Sequence, residues 1–147
     1  MALGDELVQV SVKLHRDSEL NTLVHNGPRA TDLSGETEMV TVTTVDRFCE
    51  DHTIPFIDIL KMDVQGWENH VLAGASKMLR NKKVRFIVSE VAFRRSDADM
   101  QHIGELSDTM EANGFWLCGF YDRFRWGDNK QFLGFANALF IDPSFER

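Results

Sequence analysis

Apolar and polar residues alternate without a fault over 8–14, VQVSVKL, with Val8, Val10, Val12 and Leu14 on one side and Gln9, Ser11 and Lys13 on the other. Period two is the mark of a strand with one wet face. The β-branched stretch EMVTVTTV at 38–45 predicts a second strand. Between them, HRDSELNTLVHNGPRATDLSGE is polar and punctuated by Gly, Pro and Asn, which predicts a long loop over 15–36. Loops of that length in compact domains serve as lids or stay disordered. Asp46 is placed to cap a short helix running to about residue 52.

The period then changes. Residues 56–63 read as an apolar strand, and 67–80 as one helix with Val71, Leu72, Ala75, Met78 and Leu79 on a shared face. VRFIVSEVA at 84–92 predicts another apolar strand. A helix over about 99–112 follows, with Met100, Ile103, Leu106 and Met110 at helical spacing and Gly114 closing it. Gly104 weakens that helix by up to about 1 kcal/mol. FWLCGFYD and FANALFIDP predict two more strands around the turn-rich RWGDNKQ. Strands alternating with helices of these lengths predict βαβ units, an α/β fold with a mostly parallel sheet.

With 147 residues the chain suits one domain and is short for two. A hydrophobic share of 43% and a charged share of 27% are those of a soluble globular protein. The formal net charge of −7 argues against nucleic acid as a partner, because phosphate binding needs clustered Lys and Arg. No apolar run reaches the roughly 18–20 residues of a membrane span. The opening MALGDELVQV has no basic and apolar leader pattern, so a cytoplasmic location is expected. Cys49 and Cys118 form no CxxC and read as reduced core thiols. His15, His25, His52, His70 and His102 show no zinc-binding spacing, and no metal is expected.

The chemistry concentrates in ILKMDVQGWENHVLAGA, residues 59–75, where an otherwise apolar strand accepts Lys61 and Asp63 as it leaves the sheet. Period two puts Ile59, Lys61 and Asp63 on one face, and ligands of open α/β sheets bind at the carboxyl ends of strands. Gly66 allows a tight turn into the helix, whose first turn carries Glu68 beside free N–H groups. Glu90 ends the next strand at a similar level, so these carboxylates can converge on one crevice. Structural readings stand beside the functional one. Asp63 can simply cap the turn, Glu68 can complement the helix dipole, and Lys61 can snorkel or pair with an acid.

LKMDVQGWENHVLAGA resembles the central motif of the FkbM family of S-adenosylmethionine-dependent methyltransferases, which runs Lys-x-Asp-x-Glu-Gly-x-Glu and then Val-Leu-x-Gly-Ala. Lys61, Asp63, Gly66, Glu68, Val71, Leu72, Gly74 and Ala75 match it, as do the upstream TTVDRF, the opening ALGD and the strand ending in SEV. Gln65 stands where the family usually has Glu. The resemblance implies a Rossmann-like class I methyltransferase sheet and methylation of a hydroxyl on a sugar, polyketide or similar small metabolite. It implies S-adenosylmethionine as cofactor, with Leu3, Gly4 and Asp5 near its adenine. Asp63 would lie beside the transferred methyl and orient the acceptor or act as general base; Lys61 would anchor it and Glu68 hold the turn. The family's Gly-rich loop follows its first strand, and no GxG pair occurs among the glycines at 4, 27, 35, 66, 74, 104, 114, 119, 127 and 134. The resemblance therefore implies a truncated sheet lacking the first strands, the C-terminal part of one domain covering 1–147.

Acceptor choice is expected from loops. The 15–36 stretch is one candidate lid, and YDRFRWGDNK is another, setting Arg123 and Arg125 among Tyr121, Phe124 and Trp126. The structural reading of the latter is an exposed hairpin with snorkelling arginines. With Glu90, these arginines are the candidate acceptor-binding residues. Without a first strand beside it, strand 56–63 would present a bare edge with Phe56, Ile57, Ile59 and Leu60, which predicts self-association. Two readings from other classes remain. One is a non-catalytic remnant that serves as a binding or assembly module. The weaker one is a receiver-like domain phosphorylated at Asp63, which would need an acidic pair after its first strand and has only Asp5 and Glu6.

Overall fold

The computed structural model describes residues 1–15, 33–97 and 100–145, and divides their strands between two sheets. The smaller contains β1 (Ala2–Leu3), β2 (Val8–His15) and β3 (Leu33–Thr43), in the order β1-β3-β2. β2 and β3 run antiparallel with Val8 opposite Val42 and Val10 opposite Val40, so their β-branched residues share a face. β1 lies parallel on the far side of β3. Of the expected 15–36 lid, residues 16–32 lie outside the described residues and 33–36 belong to β3.

The larger sheet contains β4 (Ile57–Met62), β5 (Val84–Ala92), β6 (Trp116–Trp126) and β7 (Phe132–Ile141), in the order β4-β5-β7-β6. The expected mostly parallel sheet is corrected here: β4 and β5 are parallel, whereas β7 is antiparallel to both β5 and β6. The reason is local. A short turn, left-handed at Gly127 (φ 91°) and Lys130 (φ 50°), joins β6 to β7, and so short a link permits only antiparallel pairing. The YDRFRWGDNK stretch is thus the tip of an exposed hairpin.

The helices are α1 (Val45–Asp51), α2 (Glu68–Ala73), α3 (Ser76–Arg80) and α4 (Ile103–Ala112). One face of the larger sheet, with Leu60, Met62, Ile87, Val91, Ala138 and Phe140, buries against Val71, Leu72, Leu79, Leu106 and Met110. Burying a side chain such as Phe140 is worth about 1.5–3 kcal/mol. Along β7, buried residues alternate with half-buried Leu133, Phe135, Asn137, Leu139 and Ile141, so the opposite face is only partly covered. β4 is an edge strand, and Ile59 is 61% exposed.

The single helix expected over 67–80 is two short ones, and Asp46 causes the break. Its N–H takes the Gly74 carbonyl at 2.9 Å, while its carboxylate accepts from the N–H groups of Lys77 and Met78 at 2.8 and 2.9 Å. The Gly74 carbonyl and the Met78 N–H, which would bond each other in a continuous helix, are both satisfied by one residue from α1. Asp46 therefore does not cap its own helix; Thr44 does, its hydroxyl accepting from the Arg47 N–H at 3.0 Å.

α4 starts later than expected, with the His102 ring accepting from the Gly104 N–H at 3.0 Å. Gly104 consequently sits in the first turn, where its cost is smaller than in the interior. Gly114 (φ 82°) ends the helix in a paired motif, its N–H on the Glu111 carbonyl and the Phe115 N–H on that of Met110. Cys49 is buried, as expected of a core thiol, but Cys118 is exposed. The β6–β7 register slips between Leu117 and Gly119, and the unpaired Cys118 turns outward.

Candidate active site

β4 ends at Met62, and the chain passes through Asp63 and Val64 into a turn with two left-handed residues, Gln65 (φ 52°) and Gly66 (φ 90°). Glycine accepts that backbone freely, whereas a glutamine there carries strain of about 1 kcal/mol or more. The strain has a visible return. Lys61 Nζ donates to Asp63 Oδ2 at 3.3 Å and Gln65 Nε2 donates to Oδ1 at 3.2 Å. Both carboxylate oxygens are thus oriented, and each keeps a lone pair for a further donor. Asp63 is 45% exposed and Lys61 59%. The Lys61–Asp63 contact also puts the two on one side of the strand, as period two predicts. A glutamate at position 65 would set a second carboxylate against Asp63 Oδ1; the amide supplies a donor instead.

Glu68 lies behind this turn, 2% exposed. Its Oε1 accepts from the Val64 N–H at 3.4 Å, and Oε2 has no hydrogen-bond partner among the described residues. Burial pushes its carboxyl above the ordinary value of 4.5, aided by the Asp63 charge and opposed by backbone hydrogen bonds from Glu68, Val64 and Gly66. A group whose folded pKa is raised contributes fully below its unfolded value, and the contribution fades as pH rises through the folded one. Stability therefore carries a downward slope with pH above 4.5 that Glu68→Gln removes. Denaturant midpoints taken from mildly acidic to slightly alkaline pH check this, and equal slopes in the two proteins would contradict it. Asp5 and Asp142, both held below their usual 3.8, act in a separate window: their contribution is lost as pH falls below that value.

The end of β1 meets the same region. Gly4 packs so closely on Gly74 and Trp67 that a Cβ on Gly74 would stand 1.9 Å from the Gly4 carbonyl oxygen. Asp5 Oδ2 pairs with His70 Nδ1 at 2.9 Å, which chiefly lowers the Asp5 pKa, and the His70 ring stacks on Trp67 at 3.7 Å. Trp67 Nε1 is buried without a partner among the described residues. Leu3 packs against the main core.

Met62 pairs with Ser89, so the ladder carried one step further sets Asp63 level with Glu90, which is half-buried. Lys61, Asp63, Gln65 and Glu90 thus gather at the carboxyl ends of β4 and β5, with Glu68 behind them. Arg123 and Arg125 do not join them. They lie on β6, three strands from β4, roughly 14 Å across the sheet. Arg125 Nη1 instead lies 3.4 Å from the carbonyls of Lys130 and Gln131, across the hairpin turn. A shallow cleft of ≈ 470 Å³ between α1 and α3, lined by Cys49, Ile54, Lys77 and Lys83 among others, opens at the opposite, amino end of β4. No group of His, Cys, Asp and Glu among the described residues is arranged to hold a metal ion, and no described helix is long and apolar enough to cross a membrane.

Sequence reasoning passed over Asn137. It is the one polar residue in FLGFANALFI, the same anomaly that marks Lys61 and Asp63 in β4. It pairs with Glu90 on β5 and Tyr121 on β6.

An α/β sheet whose neighbouring parallel strands end in a fixed carboxylate is a ligand-binding architecture of the open-sheet type. The family profile described as Methyltransferase FkbM domain matches residues 5–117, and the chain belongs to that methyltransferase family. The matched stretch includes the whole Asp63 turn and stops just inside β6. No curated protein and no solved structure matches the chain.

Proposed function

We propose that the protein transfers a methyl group from S-adenosylmethionine to a hydroxyl oxygen of a small metabolite, a sugar or polyketide among them. The observation that carries this reading is Asp63, fixed at both oxygens by Lys61 and Gln65 and still open to a third donor at the strand end. S-adenosylmethionine, when bound, supplies the electrophilic methyl. The residues after β1 suit its adenosine end: Gly4 brings bare backbone beside the Trp67 indole, and the Asp5 carboxylate, 43% exposed, can accept from an amine or hydroxyl. Asp63 accepts the acceptor's hydroxyl hydrogen, aims the oxygen and takes the proton as the oxygen is methylated. Lys61 and Gln65 keep Asp63 from rotating, and Glu68 ties down the turn. The test is incubation with methyl-labelled S-adenosylmethionine and a set of hydroxylated metabolites, followed by mass spectrometry. Label on an oxygen, with the demethylated cofactor released, is expected; a folded protein that labels none of them contradicts the reading.

The open edge of β4 favours a homo-oligomer. Its outer edge has no strand partner among the described residues, and beside the exposed Ile59 it is a template for another strand. Light scattering is expected to show mass rising with concentration, and Ile59→Lys to suppress the rise. A wild-type monomer at every concentration contradicts it.

One observation favours a second reading, a binding or assembly module without catalysis: the sequence holds no GxG turn to cradle the amino-acid end of the cofactor. Cofactor binding separates the two readings.

A further inference from the structure

The half-buried face of the larger sheet is mostly apolar as far as Lys61, which stands opposite Val88 and donates to Asp63. Ile59, Phe86, Val88, Leu139 and Ile141 occupy it toward the amino ends of β4 and β5. One step further along the strands stand Glu90, Asn137 and Tyr121, paired in that order across the sheet, and the β4–β5 ladder carried one residue past Met62 sets Asp63 level with Glu90. Directly opposed residues of a ladder share a face, so this is one polar strip crossing four strands. At about 4.8 Å per strand, Asn137 stands roughly 10 Å from Asp63, the reach of two linked sugar rings.

The far end of the strip is shaped by a bulge. The β6–β7 register slips between Tyr121 and Phe124, and Asp122 is left-handed (φ 49°). Its Oδ2 accepts from Asn137 Nδ2 at 3.3 Å. Asn137 is thereby oriented by Asp122 much as Asp63 is by Lys61 and Gln65. The Tyr121 ring lies over Gly119, where even a Cβ would stand in ordinary contact with its hydroxyl at 3.6 Å. Beyond the strip, Phe124 and Phe135 stack at 4.7 Å between centroids, level with Ala92, the last residue of β5. Such a ring pair accepts the C–H face of a ligand whose hydroxyls meet the strip.

We propose that Asn137, Tyr121 and Asp122, with Glu90, form a distal subsite that binds hydroxyls of an extended, polyhydroxylated acceptor whose near hydroxyl reaches Asp63. This rests on the reading that the acceptor approaches Asp63. The three residues on β6 and β7 lie beyond the stretch that the family profile matches, which suits them to set acceptor choice in this chain.

The test needs no methyl donor. ¹⁵N- and ¹³C-labelled protein is titrated with maltose and with glucose by NMR. Saturable shifts of the Asn137 side-chain amide and the Tyr121 ring are expected, with maltose binding more tightly than glucose. Asn137→Ala and Tyr121→Phe should each weaken maltose binding about fivefold to tenfold, the loss of one hydrogen bond. The second variant removes one exposed hydroxyl and leaves the ring in place, so it reads binding even where Asn137→Ala perturbs the fold. Absence of shifts at these residues up to the solubility of either sugar, or an unchanged maltose affinity in Tyr121→Phe, overturns the proposal. Failure here leaves methyl transfer standing, and saturation here stands whether or not the protein methylates.

Discussion

Gly74→Ala lowers the melting temperature by roughly 10 °C, the equivalent of about 3 kcal/mol in a chain of this size. The added methyl would lie 1.9 Å from the Gly4 carbonyl oxygen and 3.2 Å from Thr44 Cβ. The near atom is backbone, so no rotamer change relieves the clash. Either β1 moves off α2, or α2 moves off Asp46, whose N–H holds the Gly74 carbonyl. Both movements break the junction that sets Gly4 and Asp5 beside Trp67 and His70. Alanine's better helix propensity offsets up to about 1 kcal/mol and does not reverse the sign. Thermal unfolding followed by circular dichroism checks the value, and an unchanged midpoint would mean that β1 does not pack as described.

Asp63→Asn lowers the rate of methyl transfer about 10²- to 10⁴-fold, the range for removing a positioned proton acceptor. The amide keeps the size of the carboxylate and can still accept from Lys61 through its oxygen, so the acceptor oxygen is aimed but its proton has no base. The fold changes little, because the Lys61–Asp63 pair is exposed and such pairs contribute at most about 1 kcal/mol. Single-turnover rates beside denaturation curves separate the two effects. A variant that transfers methyl at the parental rate would reduce Asp63 to a turn-capping residue.

Much of the fold could be read from local pattern. The strand over 84–92 and the stop at Gly114 fall where hydrophobic period and helix-capping chemistry put them, since each depends on residues close in sequence. The helix break depends on Asp46, some thirty residues upstream, and no window around 67–80 contains it. The insertion of β7 between β5 and β6 is likewise set by pairing rather than by either strand's own pattern. At the site, Lys61, Asp63 and Gly66 stood out because charge and glycine interrupt an apolar run. Asn137 interrupts one too and carried the same signal. The burial of Glu68 had none, because a carboxylate in a first helical turn is ordinarily solvated.

Methyl transfer requires that the carboxyl end of β4 and the residues after β1 take S-adenosylmethionine. Calorimetric titration of the purified chain with S-adenosylmethionine and with its demethylated product tests it most directly. Saturable binding of both in the micromolar range is expected, weakened in Asp5→Ala, which removes the carboxylate offered to the adenosine end. A well-folded protein that gives no binding heat with either compound would contradict that expectation.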